Sequence, residues 1–249
     1  FKYSMTDEIS DETYLGLTDS DYSDNPLRRY RATALDEMDA DHTQLMLSYA
    51  AKLSDKMSLA VVGYSNDFAR NWYKLNKVNG ASLGTIAKPT DAAFDAFYVL
   101  MNAQDSVDDA YRIKANNREY YSSGVQAVLN VSKGGHDLQI GMRVHSDEMD
   151  RFQWEDRYKM ASGKLVMTTE AIKGSDSNRI DSAEATSFYI EDKFQTNLHT
   201  ITAGMRYEDI TVMRDDWGKT DPDRSELPSQ REHNMSVLVP GVYFEYELS

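Results

Sequence analysis

The stretch "NPLRRYRAT" brings Arg28, Arg29 and Arg31 close together in a 249-residue chain whose formal net charge is -14. Each guanidinium is a planar fork of donors that matches a carboxylate, so such a patch can hold an anionic ligand. The same side chains could instead pair with Asp24, Asp36 or Glu37 and order their own loop. Arg70 in "DFARNWYK" and Arg118 in "KANNREYY" lie near strand ends, where either could reach the same vestibule. The acidic runs "DSDYSDN" and "DPDRSE" resemble parts of calcium loops, but neither completes the required run of ligands. They read as solvated acidic loops. The five histidines show no zinc-ligand spacing, and the absence of cysteine removes thiolate catalysis and thiolate metal sites. No nucleophile elbow, phosphate loop or carboxylate dyad occurs, so neither enzymatic activity nor a resident cofactor is expected. The acidic balance also argues against a nucleic-acid partner, which needs a broad basic surface.

The elements that would position these residues are strands. In "GGHDLQIGMRVHSDEMD" Leu138, Ile140, Met142 and Val144 alternate with Gln139, Arg143, His145 and Asp147. One face is oily and the other ionic, at period two. "HTITAGMRYED" sets Ile201, Ala203, Met205 and Tyr207 against Arg206 and Glu208 in the same way. Similar alternation starts at Thr43 and Tyr121 and recurs in "TSFYIEDKF", where Asp192 is an exception, and in "SVLVPGVYFEYEL". The strand from Met57 to Tyr73 has mixed faces, so the side taken by Arg70 is open.

The connections sharpen this reading. Three are tight, at Ser54-Asp55-Lys56, Lys133-Gly134-Gly135 and Thr196-Asn197. They alternate with long ones, Thr6 to Asp41, Lys74 to Arg118, Glu148 to Asp181 and Asp216 to Asn234. Compact soluble domains rarely hold several loops longer than about 15 residues. Outer-membrane barrels have this asymmetry, with short turns at one end and long extracellular loops at the other. No apolar run approaches the roughly 20 residues of a membrane helix, so a crossing would be made by strands. Leu138, Ile140, Met142 and Val144 would then face lipid. Gln139, Arg143, His145, Arg206 and Glu208 would line a wet lumen. Trp72, Tyr73, Tyr120, Tyr121, Trp154, Tyr158 and Trp217 could form interfacial girdles. Within the second long connection, "KPTDAAFDAFYVLMNAQDSVDDAY" reads as a short helix capped by Thr90 or Asp91, with Phe94, Phe97, Tyr98 and Met101 on one face.

The stretches "DETYLGLTDSDYSDNPLRRYRATALDEMDADHTQ" and "YSNDFARNWYKLNKVNG", with "KANNREYYSSGVQ" and "VLVPGVYFEYELS", resemble TonB-dependent outer-membrane receptors, specifically the ferric-citrate branch. The resemblance implies a barrel of roughly 22 strands with a plugged lumen. The expectation is an all-β, antiparallel, up-and-down barrel segment of seven full strands plus the end of an eighth at Phe1 to Met5, without the plug domain or closing strands. It further implies a receptor in the bacterial outer membrane that binds a ferric chelate, with iron carried as chelated substrate. Its partners would be the chelate, outer-membrane lipid and, through the plug, the TonB complex. The alternatives are a passive porin or surface-binding barrel, and a soluble β-sandwich binding module.

Overall fold

The computed structural model describes residues 1–86, 98, 100–102 and 104–246. Its strands are β1 (Lys2–Ser10), β2 (Glu37–Ser54), β3 (Met57–Val78), β4 (Ala81–Ser82), β5 (Tyr111–Lys133), β6 (His136–Ala161), β7 (Lys164–Thr169), β8 (Ser177–Gln195), β9 (His199–Asp216) and β10 (Ser229–Tyr246). They form one antiparallel sheet in the order β1-β2-β3-β5-β6-β8-β9-β10, with short β4 on β3 and β7 on β6. Each long strand pairs with its neighbour in sequence, the meander expected of a segment of barrel wall. No second sheet lies against it among the described residues, which removes the sandwich reading. No helix among them is long and apolar enough to cross a membrane.

The sequence explains the register. Gly134 and Gly135 both take positive φ, 63° and 85°, which a two-residue hairpin turn needs and side chains resist. Paired residues share a face, so alternation on one strand propagates to the next. Tyr49, Val61, Ala127, Met142, Phe188, Tyr207 and Leu238 are linked pairwise across the sheet as one apolar row. The rows beside it, such as Leu59–Leu129–Ile140–Ile190–Met205, are apolar too. These side chains are nonetheless exposed, with Ile140 at 43%, Met142 at 45% and Val144 at 49%. The opposite face carries Gln139, Arg143, His145, Arg206 and Glu208. On β3 the register resolves the mixed pattern: Leu59 and Val61 join the apolar face, Tyr64 and Arg70 the other.

Two polar-face glycines make room for rings. A Cβ on Gly124 would lie 2.5 Å from the Tyr64 hydroxyl, and one on Gly141 would lie 1.9 Å from Tyr189 Cε1. Each tyrosine lies flat across the glycine paired with it.

The third long connection of the sequence reading is mostly strand. β6 runs to Ala161, turns at Ser162 and Gly163, and returns as β7. "SDEMDRFQWEDRY" is therefore wall, not loop tip. Beyond the apolar belt the strands carry a packed cap. Leu75, Tyr111, Ile113, Tyr158 and Met160 on the strands close with Tyr30, Ala32 and Met101 from the connections into a buried cluster. The girdle reading needs correcting accordingly. Tyr73 and Tyr158 belong to or pack on this cap, and Trp72 and Tyr120 lie on the polar face, while Tyr121 stays on the belt face. Of the helix read between Lys88 and Tyr111, Thr90, Asp91, Phe94 and Phe97 fall outside the described residues. Tyr98 packs against the cap and Met101 is buried within it.

Candidate functional site: a row of arginines

Four neighbouring strands each place an arginine on the polar face at the same level. Arg70 on β3 pairs with Arg118 on β5, Arg118 with Arg151 on β6, and Arg151 with Arg179 on β8. Three strand spacings span about 14 Å, so the guanidiniums form a continuous cationic bar. Like charges directly opposite destabilise a sheet, so the wall does not gain stability from this arrangement. The protein supplies only partial compensation. The Tyr120 hydroxyl accepts from Arg70 Nη2 at 3.4 Å and Arg118 Nη1 at 3.2 Å. Burial pushes that phenol up, but the two guanidiniums outweigh it and bring its pKa below the ordinary value. Asp181 accepts from Arg179 Nε at 3.1 Å and also holds Arg214. The Nε atoms of Arg118 and Arg151 are buried without a hydrogen-bond partner among the described residues. Burial, then the charges of Arg118 and Arg179, lowers the pKa of Arg151. Buried orphan donors are costly.

The tiers above the row extend it. Asn116 and Gln153 sit between and bond to each other, and beyond them Lys74 pairs in register with Lys114. Lys114 Nζ reaches Asp176 at 2.5 Å. Burial, with Lys114 and Arg118 nearby, brings the Lys74 ammonium down to about 8. In a chain of net charge -14 this concentration of cations on one patch of wall is local, not compositional.

The loop arginines are engaged elsewhere. Arg28 donates to Asp21 at 2.5 Å and also to Asn102, tying the first long connection to the second. Asp21 is the hub of that clamp. It accepts from Tyr30 at 2.6 Å and Tyr98 at 2.7 Å, and those bonds hold its pKa below the ordinary value. Arg29 donates to the backbone carbonyls of Asp36 and Asp11. Arg31 opens a short 3-10 turn and is exposed. Asp24, Asp36 and Glu37 were the anticipated carboxylate partners. The structure uses the Asp21 and Asp11 side chains instead.

Lower on the wall the polar face is largely neutralised from within. Arg143 donates to the Tyr64 hydroxyl at 3.1 and 2.8 Å, and His145 bridges Tyr64 at 2.7 Å to Asp147 at 3.2 Å. Arg206 pairs with Glu208 at 2.5 Å and reaches Ser187 at 2.8 Å. Gln139 lies in register between Asn130 and Glu191. In the "DPDRSE" run Asp221 accepts from the Ser225 and Glu226 backbones at 3.0 Å each, and Arg224 ties the turn to the wall by donating to Asp150 at 2.8 and 2.6 Å and to Asn178 at 2.7 Å. Among the described residues no group of three metal-ligating side chains converges.

Sequence reasoning reached Arg70 and Arg118 but missed Arg151, Arg179, Lys74 and Lys114. For Arg151 the signal was present: continuing the ionic positions Arg143, His145 and Asp147 by twos leads through Met149 to Arg151. Arg179 had no such lead, because its strand begins only two residues earlier, at Ser177.

With the wall in view, the comparisons with known proteins are decisive at family level. The profile described as "TonB dependent receptor-like, beta-barrel" matches residues 3–249. The chain belongs to this family. No curated protein sequence matches the chain closely enough to add a relative. Among solved structures it is similar to the ferric citrate transporter FecA in its unliganded form, with a TM-score of 0.64 and 17% identity over 94% of this chain. It is also similar to the open form of the ferric-catecholate import receptor Fiu from E. coli K12, at a TM-score of 0.56 and 11% identity over 97% of this chain. The ferric preacinetobactin receptor BauA from Acinetobacter baumannii gives 0.52 and 10% over 88%. At these identities the likeness is one of fold. The chain spans 29% of the FecA chain, 40% of Fiu and 31% of BauA. The named neighbours are receptors and transporters rather than enzymes.

Proposed function

We propose that this stretch of TonB-dependent receptor barrel forms part of the wall and outer vestibule of a bacterial outer-membrane transporter for an anionic ferric chelate, ferric citrate or a related carboxylate siderophore. The row Arg70–Arg118–Arg151–Arg179, with orphan donors on its two central members, is the observation that carries this reading. Iron enters as part of the substrate and is not a resident cofactor. The exposed apolar belt lies against outer-membrane lipid, and the polar face lines the lumen. Among the described residues β1 and β10 are the edge strands of the sheet. Energy relayed by TonB through a plug in the lumen drives release inward.

Mechanistically the wall captures and does no chemistry. Guanidinium forks match carboxylates of the chelate in pairs, and binding removes the repulsion that the empty row bears. Arg28 and Arg29 serve the loop scaffold above. The test is titration of the receptor carrying this chain, in detergent, with ferric citrate and with an uncharged ferric siderophore, for wild type and for Arg118→Ala/Arg151→Ala. Saturable ferric citrate binding that the double variant loses supports the reading. Equal binding by both proteins, or preference for the uncharged chelate, removes it. Iron uptake in cells with and without TonB tests the energised step.

A further inference from the structure

Lys74 stands above the arginine row and is only 5% exposed. Its ammonium lies 3.0 Å from the centroid of the Tyr14 ring and 4.2 Å from that of Trp72. The two rings are themselves 4.2 Å apart, and the Trp72 indole donates to the Glu12 carbonyl at 3.1 Å. Glu12 and Tyr14 belong to the connection between β1 and β2. Residues 12–14 of that connection are therefore held to the wall by one cation against two ring faces and by the Trp72–Glu12 hydrogen bond, while Tyr30, Ala32 and Asp36 anchor its later part. The groups facing Lys74 are Lys114 and Arg118 from β5, and Glu12 and Tyr14 from the connection. Among the described residues no carboxylate forms an ion pair with it. Lys114 is partly answered by Asp176.

We propose that the Tyr14–Lys74–Trp72 stack couples the first long connection to anion binding at the arginine row. An anion at the row offsets the repulsion that Arg118 and Lys114 exert on Lys74. This favours the charged ammonium, and a charged ammonium is what the two ring faces attract. Occupancy of the row therefore tightens the stack and holds residues 11–15 against the wall. Coupling of this kind is reciprocal, so docking of Tyr14 strengthens anion binding although Tyr14 does not reach the row. Burial and the charges of Lys114 and Arg118 bring Lys74 down to about 8, so anion binding near that pH is accompanied by proton uptake.

This inference rests on the reading of the row as an anion site, and the experiment separates the two. The receptor carrying this chain is titrated in detergent at pH 8 with ferric citrate and with inorganic phosphate. Calorimetry in two buffers of different ionisation enthalpy reports the proton count. Trp72 emission is taken as the difference from Trp72→Phe. The expected result is a loss of affinity of about fivefold in Tyr14→Leu, a saturable change in Trp72 emission, and proton uptake that disappears in Lys74→Met. If both anions bind, Tyr14→Leu matches wild type and Lys74→Met takes up the same protons, the coupling is overturned while the anion site stands. If neither anion binds wild type, the anion site falls and the coupling falls with it.

Discussion

β3, β5, β6 and β8 run through two regions that treat charge in opposite ways. In the belt half, Arg143 and His145 on the polar wall have partners on the wall itself, Tyr64 and Asp147, and on neighbouring β9 Arg206 pairs with Glu208. In the outer half the same strands, in the same register, put four arginines side by side and leave two of their Nε atoms without a partner among the described residues. A wall that only needed to stand would use the first solution throughout. The second sacrifices stability, and under the proposed function the difference marks the anion site.

The sharpest way to break the comparison is to remove the centre of the row. Arg118→Ala/Arg151→Ala is expected to weaken anionic chelate binding by about 100-fold or more, since each charged hydrogen bond contributes about 1.5–3 kcal/mol. The same variant should raise the melting temperature of the ligand-free receptor in detergent, because a like-charge pair is gone. Arg206→Ala should do the reverse, lowering stability and leaving affinity in place. Matching behaviour of the two variants would erase the distinction between the halves.

Next in size is Asp36, whose buried carboxyl accepts from Thr13 at 2.7 Å and from the Leu75 backbone at 2.7 Å. Burial raises its pKa from 3.8 to about 6, so the folded chain binds this proton more tightly than the unfolded chain. Its ionisation therefore costs stability progressively as pH rises from about 4 through 6, by at most about 3 kcal/mol. Protection of residues 11–36 from protease should increase as pH falls from 7 to 5. Asp36→Asn should abolish that dependence. Asp21 has the opposite sign, and its contribution is lost only at lower pH, below its ordinary 3.8.

In the belt half, Gly141→Ala would force the Tyr189 ring from its place and should cost about 1–3 kcal/mol, read as a lower melting temperature. The cost should shrink in a Tyr189→Ala background. At the bottom of the scale, Lys52→Ala breaks an exposed turn pair with Asp55 at 2.7 Å. It should change stability by less than about 0.5 kcal/mol.

The two halves also differ in how legible they are. Leu138 to Val144 declare a belt strand because their alternation is uninterrupted and the tight turn at Gly134 and Gly135 opens it. Beyond Asp147 the pattern blurs, since Glu148, Asp150 and Asp156 fall on the same face of β6 as Phe152, Trp154 and Tyr158. A stretch rich in both reads as a loop tip. Arg28, Arg29 and Arg31 drew notice as neighbours in sequence. Arg28 and Arg29 serve the loop, because Arg28 donates to the buried Asp21 and Arg29 to the Asp36 backbone carbonyl.

The sequence by itself determined the strand period, the tight turns, the two unlike faces and the family resemblance, because each is encoded over a few neighbouring residues. Register across strands was left to the tertiary structure. Arg70, Arg118, Arg151 and Arg179 are separated by dozens of positions, and only hydrogen bonding between four strands sets them in line. A shift of one residue in any pairing would turn one of those side chains to the other face and dissolve the row.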